Sequence, residues 1–214
     1  MKWSEIAWQR AEKAYLDILK LQFINDLIKG TLSDERFKFY IIQDSLYIAD
    51  YCKVLMKISE KLENPKHAET FKNFAEYGIE VEKALHSIYL DGHVPLKSEM
   101  SETCELYSMF LFDTLNKNIE ISLAAVLPCF WIYQKVGDYI YQNAEKDNKY
   151  KDWISTYSAP EFAETTKITM EICDEMAEKC EDEDILKKMT DAFYMATILE
   201  WKFWDSAYKL EKNY

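Results

Sequence analysis

Residues 33–62 read SDERFKFYIIQDSLYIADYCKVLMKISEKL. Phe37, Tyr40, Ile41, Tyr47, Ile48, Tyr51 and Leu55 recur at i, i+3, i+4, i+7 spacing, the period of an amphipathic helix. Ser33 precedes it as an N-cap, and Asp34 and Glu35 suit a first turn. Asn64-Pro65 ends it near Leu62, because the residue before proline avoids the helical region. One polar residue interrupts the apolar stripe. Asp44 sits in its middle, where a carboxylate is costly unless paired or hydrogen-bonded.

The same period runs outward in both directions. A first helix spans 4–29, with a break near Phe23 and a stop at Gly30. A third spans 65–90 and stops at Asp91-Gly92, and a loop holding Pro95 covers 91–101. Further helices are expected at 102–116, 119–145, 149–156, 160–181 and 183–211. The chain of 214 residues carries four Gly and four Pro, fewer turn residues than an all-β or α/β protein needs. No break in composition marks a boundary. The expectation is one all-α domain over 1–214, a bundle of seven or eight helices.

Charge narrows the function. With 26 basic and 38 acidic residues the net charge is −12, and no basic stripe occurs, which opposes nucleic-acid binding. The five cysteines are odd in number and form no CxxC pair, so reduced thiols in the cytosol are expected. The opening MKWSEIAWQRAEKAYLDILK is charged throughout, unlike a signal peptide or a membrane span.

Two more stripes carry a chemically capable residue. In the last helix Phe193, Ala196, Thr197, Phe203, Trp204 and Ala207 share a face with Glu200. Burial raises a carboxyl pKa and makes an acid or base usable near neutrality, whereas an ion pair in the core is the structural alternative. In AAVLPCFWIYQKVGDYIY (124–141), Cys129 shares a face with Ala125, Val126, Ile132, Tyr133 and Val136. A buried cysteine is ordinarily a small hydrophobe. Pro128 removes a helical hydrogen bond beside it, and a local kink there would let a ligand reach the thiol. Tyr47, Tyr107, Tyr133, Tyr157 and Phe203 fall on or near the same inner faces, as core packing or as walls for a flat heteroaromatic ligand.

Other chemistries of helical bundles are absent. None of His67, His86 and His93 follows a Glu by three residues, as a di-iron site requires, and no His precedes His67 to serve a haem. No phosphate loop, GxSxG or zinc spacing occurs. His86, four residues after Glu82, reads as structural or as a support to a site.

The segments IIQDSLYIADY, VEKALHSIYL, LYSMFLF, LPCFWIYQKVG, WISTYSAPEF and ILEWKFWDSAY, in this order and spacing, resemble the TenA (thiaminase II) family over nearly the whole chain. LPCFWIY around the cysteine is the most specific. The resemblance implies a haem-oxygenase-like all-α bundle without haem, a homotetramer, and hydrolysis of aminopyrimidines in thiamin salvage with no metal or cofactor. It puts the nucleophile on Cys129, paired acids on Asp44 and Glu200, and pyrimidine contacts on Tyr47, Tyr107, Tyr133, Tyr157 and Phe203. Ser45 departs from it, standing where family members often carry a Tyr at the pocket edge. The rival expectation of another class is a non-catalytic pyrimidine-binding or regulatory protein. A helical adaptor would instead close its core around Asp44 and Glu200 and leave no cavity.

Overall fold

The computed structural model describes residues 1–90 and 92–212, with the side chains at 81–83 and 85–87 outside the described set. The expectations for Asp91 and His86 therefore lie outside the described residues. Among the described residues there are nine α-helices and no strand: α1 Trp3–Ile18, α2 Gln22–Ile28, α3 Asp34–Lys61, α4 Pro65–Tyr89, α5 Glu102–Thr114, α6 Ile119–Asn143, α7 Lys151–Tyr157, α8 Pro160–Lys179 and α9 Glu183–Lys209. A 3₁₀ turn at Lys97–Glu99 lies in the segment expected to be a plain loop.

Capping side chains set many of these limits. The Ser33 hydroxyl accepts the Arg36 amide at 3.3 Å, and Ser101 accepts the Cys104 amide at 3.3 Å. Asp182 accepts the Asp184 and Ile185 amides at the start of α9. Gly30 follows α2 with φ at +66°, and the Asn148 side chain beside it donates to the Leu27 and Ile28 carbonyls. The break in the first helical segment falls at residues 19–21 and not at Phe23. Leu21 is extended, and the Asn25 amide turns back onto the Lys20 and Leu21 carbonyls. Phe23 is instead fully buried in α2.

α6 is the axis of the bundle. It packs against α9, α8 and α7, while α3 packs against α4, α5 and α9. Every residue from Ile121 to Tyr133 is buried, so α6 has no solvent face over that stretch. By length and composition α6 is apolar enough to cross a membrane, but 78% of its most apolar window is buried inside the fold, as in the core helix of a bundle. It continues through Pro128 as one helix. One hydrophobic cluster reaches from Trp3 in α1 to Ala207 in α9.

Gly137 of α6 lets α7 approach closely. A Cβ at 137 would stand 2.7 Å from the Tyr157 carbonyl oxygen and 2.9 Å from the Tyr157 Cβ. Backbone cannot yield as a flexible side chain does, so Gly137→Ala should destabilise the fold by about 1–3 kcal/mol. Urea unfolding would measure it; an unchanged midpoint would mean that α7 is not held against α6 at this point.

Candidate active site

A cavity of about 320 Å³ opens between α3, α4, α6, α7 and α8. That volume suits a single small heteroaromatic ring with a substituent. α3 contributes Asp44, Ile48 and Tyr51, and α6 contributes Cys129, Phe130 and Tyr133. Tyr157 of α7, Phe162 of α8 and Phe74 of α4 complete the wall, and the Phe130 ring contacts both Phe74 and Phe162. The rim carries Tyr77, Glu161 and Thr165. Asp44 and Cys129, the interruptions of two different stripes, thus line the same space. No Lys, Arg or His is among the described lining residues.

The other expected residues form a layer behind this one. Glu200, Tyr47, Tyr107 and Phe203 do not line the cavity, although all four are buried. The Tyr107 hydroxyl donates to Glu200 Oε1 at 2.8 Å. The Tyr47 and Tyr107 rings lie 4.6 Å apart, and Tyr47 and Phe203 5.7 Å apart. Tyr133 joins the layers: its ring packs on Tyr157 at 5.2 Å and Trp204 at 4.8 Å, and its hydroxyl lies 3.4 Å from that of Tyr40. Ser45 is not at the pocket edge; its buried hydroxyl has no hydrogen-bond partner and it does not line the cavity.

The electrostatics follow from burial. Glu200 is 1% exposed, and loss of water raises its pKa to about 8, opposed by the Tyr107 hydrogen bond and assisted by the Asp44 charge. It therefore holds its proton at neutrality. Burial also pushes the Cys129 thiol well above its ordinary range, followed by the charges of Glu200 and then Asp44. Tyr47 and Tyr51 act on Cys129 in the opposite sense, as hydroxyls able to donate to a thiolate. The Tyr47 hydroxyl stands near the thiol but makes no hydrogen bond of good geometry. Burial lifts the Tyr157 phenol well above the usual range, and the Asp44 carboxylate beside it adds to that rise.

Several wall residues escaped the sequence reading, Tyr51, Phe130 and Phe162 among them. Tyr51 was visible on the stripe, seven residues after Asp44 and so on the same face. Phe130 follows Cys129 directly and packs against Tyr51 and Phe74 at 5.8 and 5.5 Å. Phe162 lies in the same segment as Tyr157, and the two rings meet edge to face at 5.5 Å.

Residues 8–210 match the TENA/THI-4/PQQC family. The chain belongs to this family. Among its relatives, the aminopyrimidine aminohydrolase of Bacillus subtilis (strain 168) is 28% identical over 221 residues, 99% of this chain and 92% of that protein. A TenA homologue from Pyrococcus furiosus superposes with a TM-score of 0.89 at 18% identity, covering 96% of this chain and 99% of that one. A domain with a heme oxygenase-like fold from Shewanella denitrificans superposes at 0.71 and 15% identity, over 98% of this chain and 93% of that one. The TenA-type, haem-oxygenase-like bundle expected from the sequence is the fold observed.

Glu200 leaves a pH signature on stability. Between its ordinary value of 4.5 and about 8, the unfolded chain has lost this proton and the folded chain keeps it. Folding stability therefore falls as pH rises through that window. Glu200→Gln should lose this dependence, so its urea midpoint should gain on the wild type between about pH 5 and about pH 8. Parallel midpoints across that range would show that Glu200 is already ionised in the fold.

Proposed function

We propose that this chain hydrolyses aminopyrimidines in thiamin salvage, with Cys129 as nucleophile. The substrate is a 4-aminopyrimidine carrying a leaving group on an exocyclic methylene. The amine of an aminomethyl substituent leaves as ammonia while its methylene stays on the ring, and the thiazole of thiamin is the other leaving group on that methylene. The observation that carries this reading is one aromatic cavity with a thiol and a carboxylate on its wall and a protonated carboxyl behind it. An adaptor with a closed core has no use for that arrangement.

The chemistry divides among these residues. The aromatic walls stack the ring, and Asp44, beside Tyr157 on the cavity wall, meets the amino group and ring nitrogen. The Cys129 thiol adds across an electron-poor carbon–nitrogen bond of the ring. Sulfur bonds carbon, and the thiol proton passes to the ring nitrogen with Asp44 as relay. The leaving group departs from the methylene and takes the proton of Glu200. Water adds to the methylene and returns a proton to Glu200. The ring nitrogen then gives up its proton, the carbon–sulfur bond breaks and the thiol is restored. A raised Glu200 pKa suits the donor role at neutral pH. Tyr107 keeps that carboxyl oriented.

The wider setting is part of the same proposal. The chain works as a single TenA-type domain over 1–214, consistent with its continuous core. Five free cysteines suit the cytosol. Leu106, Met109 and Phe112, exposed on α5, support assembly into a homo-oligomer, a tetramer by likeness to the family.

Cys129→Ser should lower kcat for the aminomethyl pyrimidine by a factor on the order of 100 or more, with helix content retained. Assay of ammonia release beside circular dichroism reads both. Hydrolysis at the wild-type rate would remove Cys129 from the mechanism.

A further inference from the structure

Tyr51 is a buried residue to which no step above gives a role. Its hydroxyl donates to the Val126 carbonyl at 2.9 Å. Its ring meets Phe130 at 5.8 Å in a T-shaped contact and stacks on Tyr47 at 5.6 Å. These contacts bracket residues 126–130, the helical turn of α6 that holds Pro128 and Cys129. That turn needs an outside support. Pro128 has no N–H, so the Ala124 carbonyl loses its helical partner and the ladder is weakest just before the thiol. Tyr51 reaches the turn from a different helix and lines the same cavity as Cys129.

We propose that Tyr51 is the positioning residue for Cys129, holding the 126–130 turn through Val126 so that the thiol faces the cavity. The inference rests on the reading of Cys129 as nucleophile. In the resting state the phenolic proton is committed to the Val126 carbonyl. When the thiol proton leaves, the same hydroxyl stands beside the sulfur and can turn to donate to it. The electrostatics agree: burial raises the Tyr51 phenol most, and Cys129 is the neighbouring group that raises it next.

Tyr51→Phe keeps the ring contacts and removes only the hydroxyl. Alkylation of Cys129 by iodoacetamide, followed by peptide mass spectrometry against pH, reads the thiol without any substrate. The rate should fall about tenfold and its pH midpoint should rise, since one hydrogen bond to a charged group is lost. With the aminomethyl pyrimidine, kcat should fall about tenfold and KM stay within about twofold. Alkylation and kcat both within twofold of wild type would overturn the proposal. So would a rise in KM alone, which would make the hydroxyl a substrate ligand. Absence of hydrolysis in the wild type would defeat the hydrolase reading, while the alkylation profile would still decide the role of Tyr51. Should Tyr51→Phe lose its helical signal, 3,5-difluorotyrosine at 51 supplies a more acidic donor in the same place. It should move the alkylation midpoint down, and an unmoved midpoint would overturn the proposal.

Discussion

Glu200 is buried with the Tyr107 hydroxyl on one oxygen, and Asp44 and Cys129 lie close enough to act on each other and on it electrostatically. Three acidic groups in so little water cannot all ionise. The described cavity wall supplies no cationic side chain to relieve them. Hydroxyls do so instead: Tyr107 for Glu200, Tyr157 for Asp44, and Tyr47 and Tyr51 for Cys129. A hydroxyl steadies a charge without fixing it, as a salt bridge would. The site is thereby left with a proton to give and a thiol to deprotonate, which is what acid-assisted substitution at a heteroaromatic methylene requires.

The fold exists around this constraint. The groups come from α3, α5, α6, α7 and α9, and no two of these helices alone could assemble the site. α6 holds Cys129 because it is buried on all sides, and Gly137 lets α7 bring Tyr157 close to it. α9 carries Glu200 one turn before Trp204, which packs on Tyr133. The aromatic rings therefore serve as core and as wall at once. A ring that fails to pack removes both a structural contact and a face of the cavity.

Much of this was legible in the sequence, for a physical reason. Asp44 and Glu200 interrupt apolar stripes, and a stripe states which face is buried. The caps at Ser33 and Gly30 fixed two helix ends for the same local reasons seen in the structure. Spacing does not state depth. It could not separate Asp44, on the cavity wall, from Glu200, Tyr47, Tyr107 and Phe203 behind it. Cys129 was not marked by its face, since α6 has no exposed face there; Pro128 and the family likeness carried it. The break between α1 and α2 falls at residues 19–21, just before the expected place, because Leu21 leaves the helical region and caps α2. Tyr51 resembled its neighbours on the stripe, and only its long-range bond to Val126 distinguishes it.

The proton on Glu200 is the claim on which the chemistry turns. A carbon-13 label in the glutamate carboxyls, with Glu200→Gln to assign the signal, follows its ionisation directly by NMR. The account predicts a carboxyl resonance that titrates near 8 in the free protein. A resonance that titrates in the ordinary glutamate range would contradict it, because Glu200 would then be ionised at neutral pH and unable to protonate a leaving group.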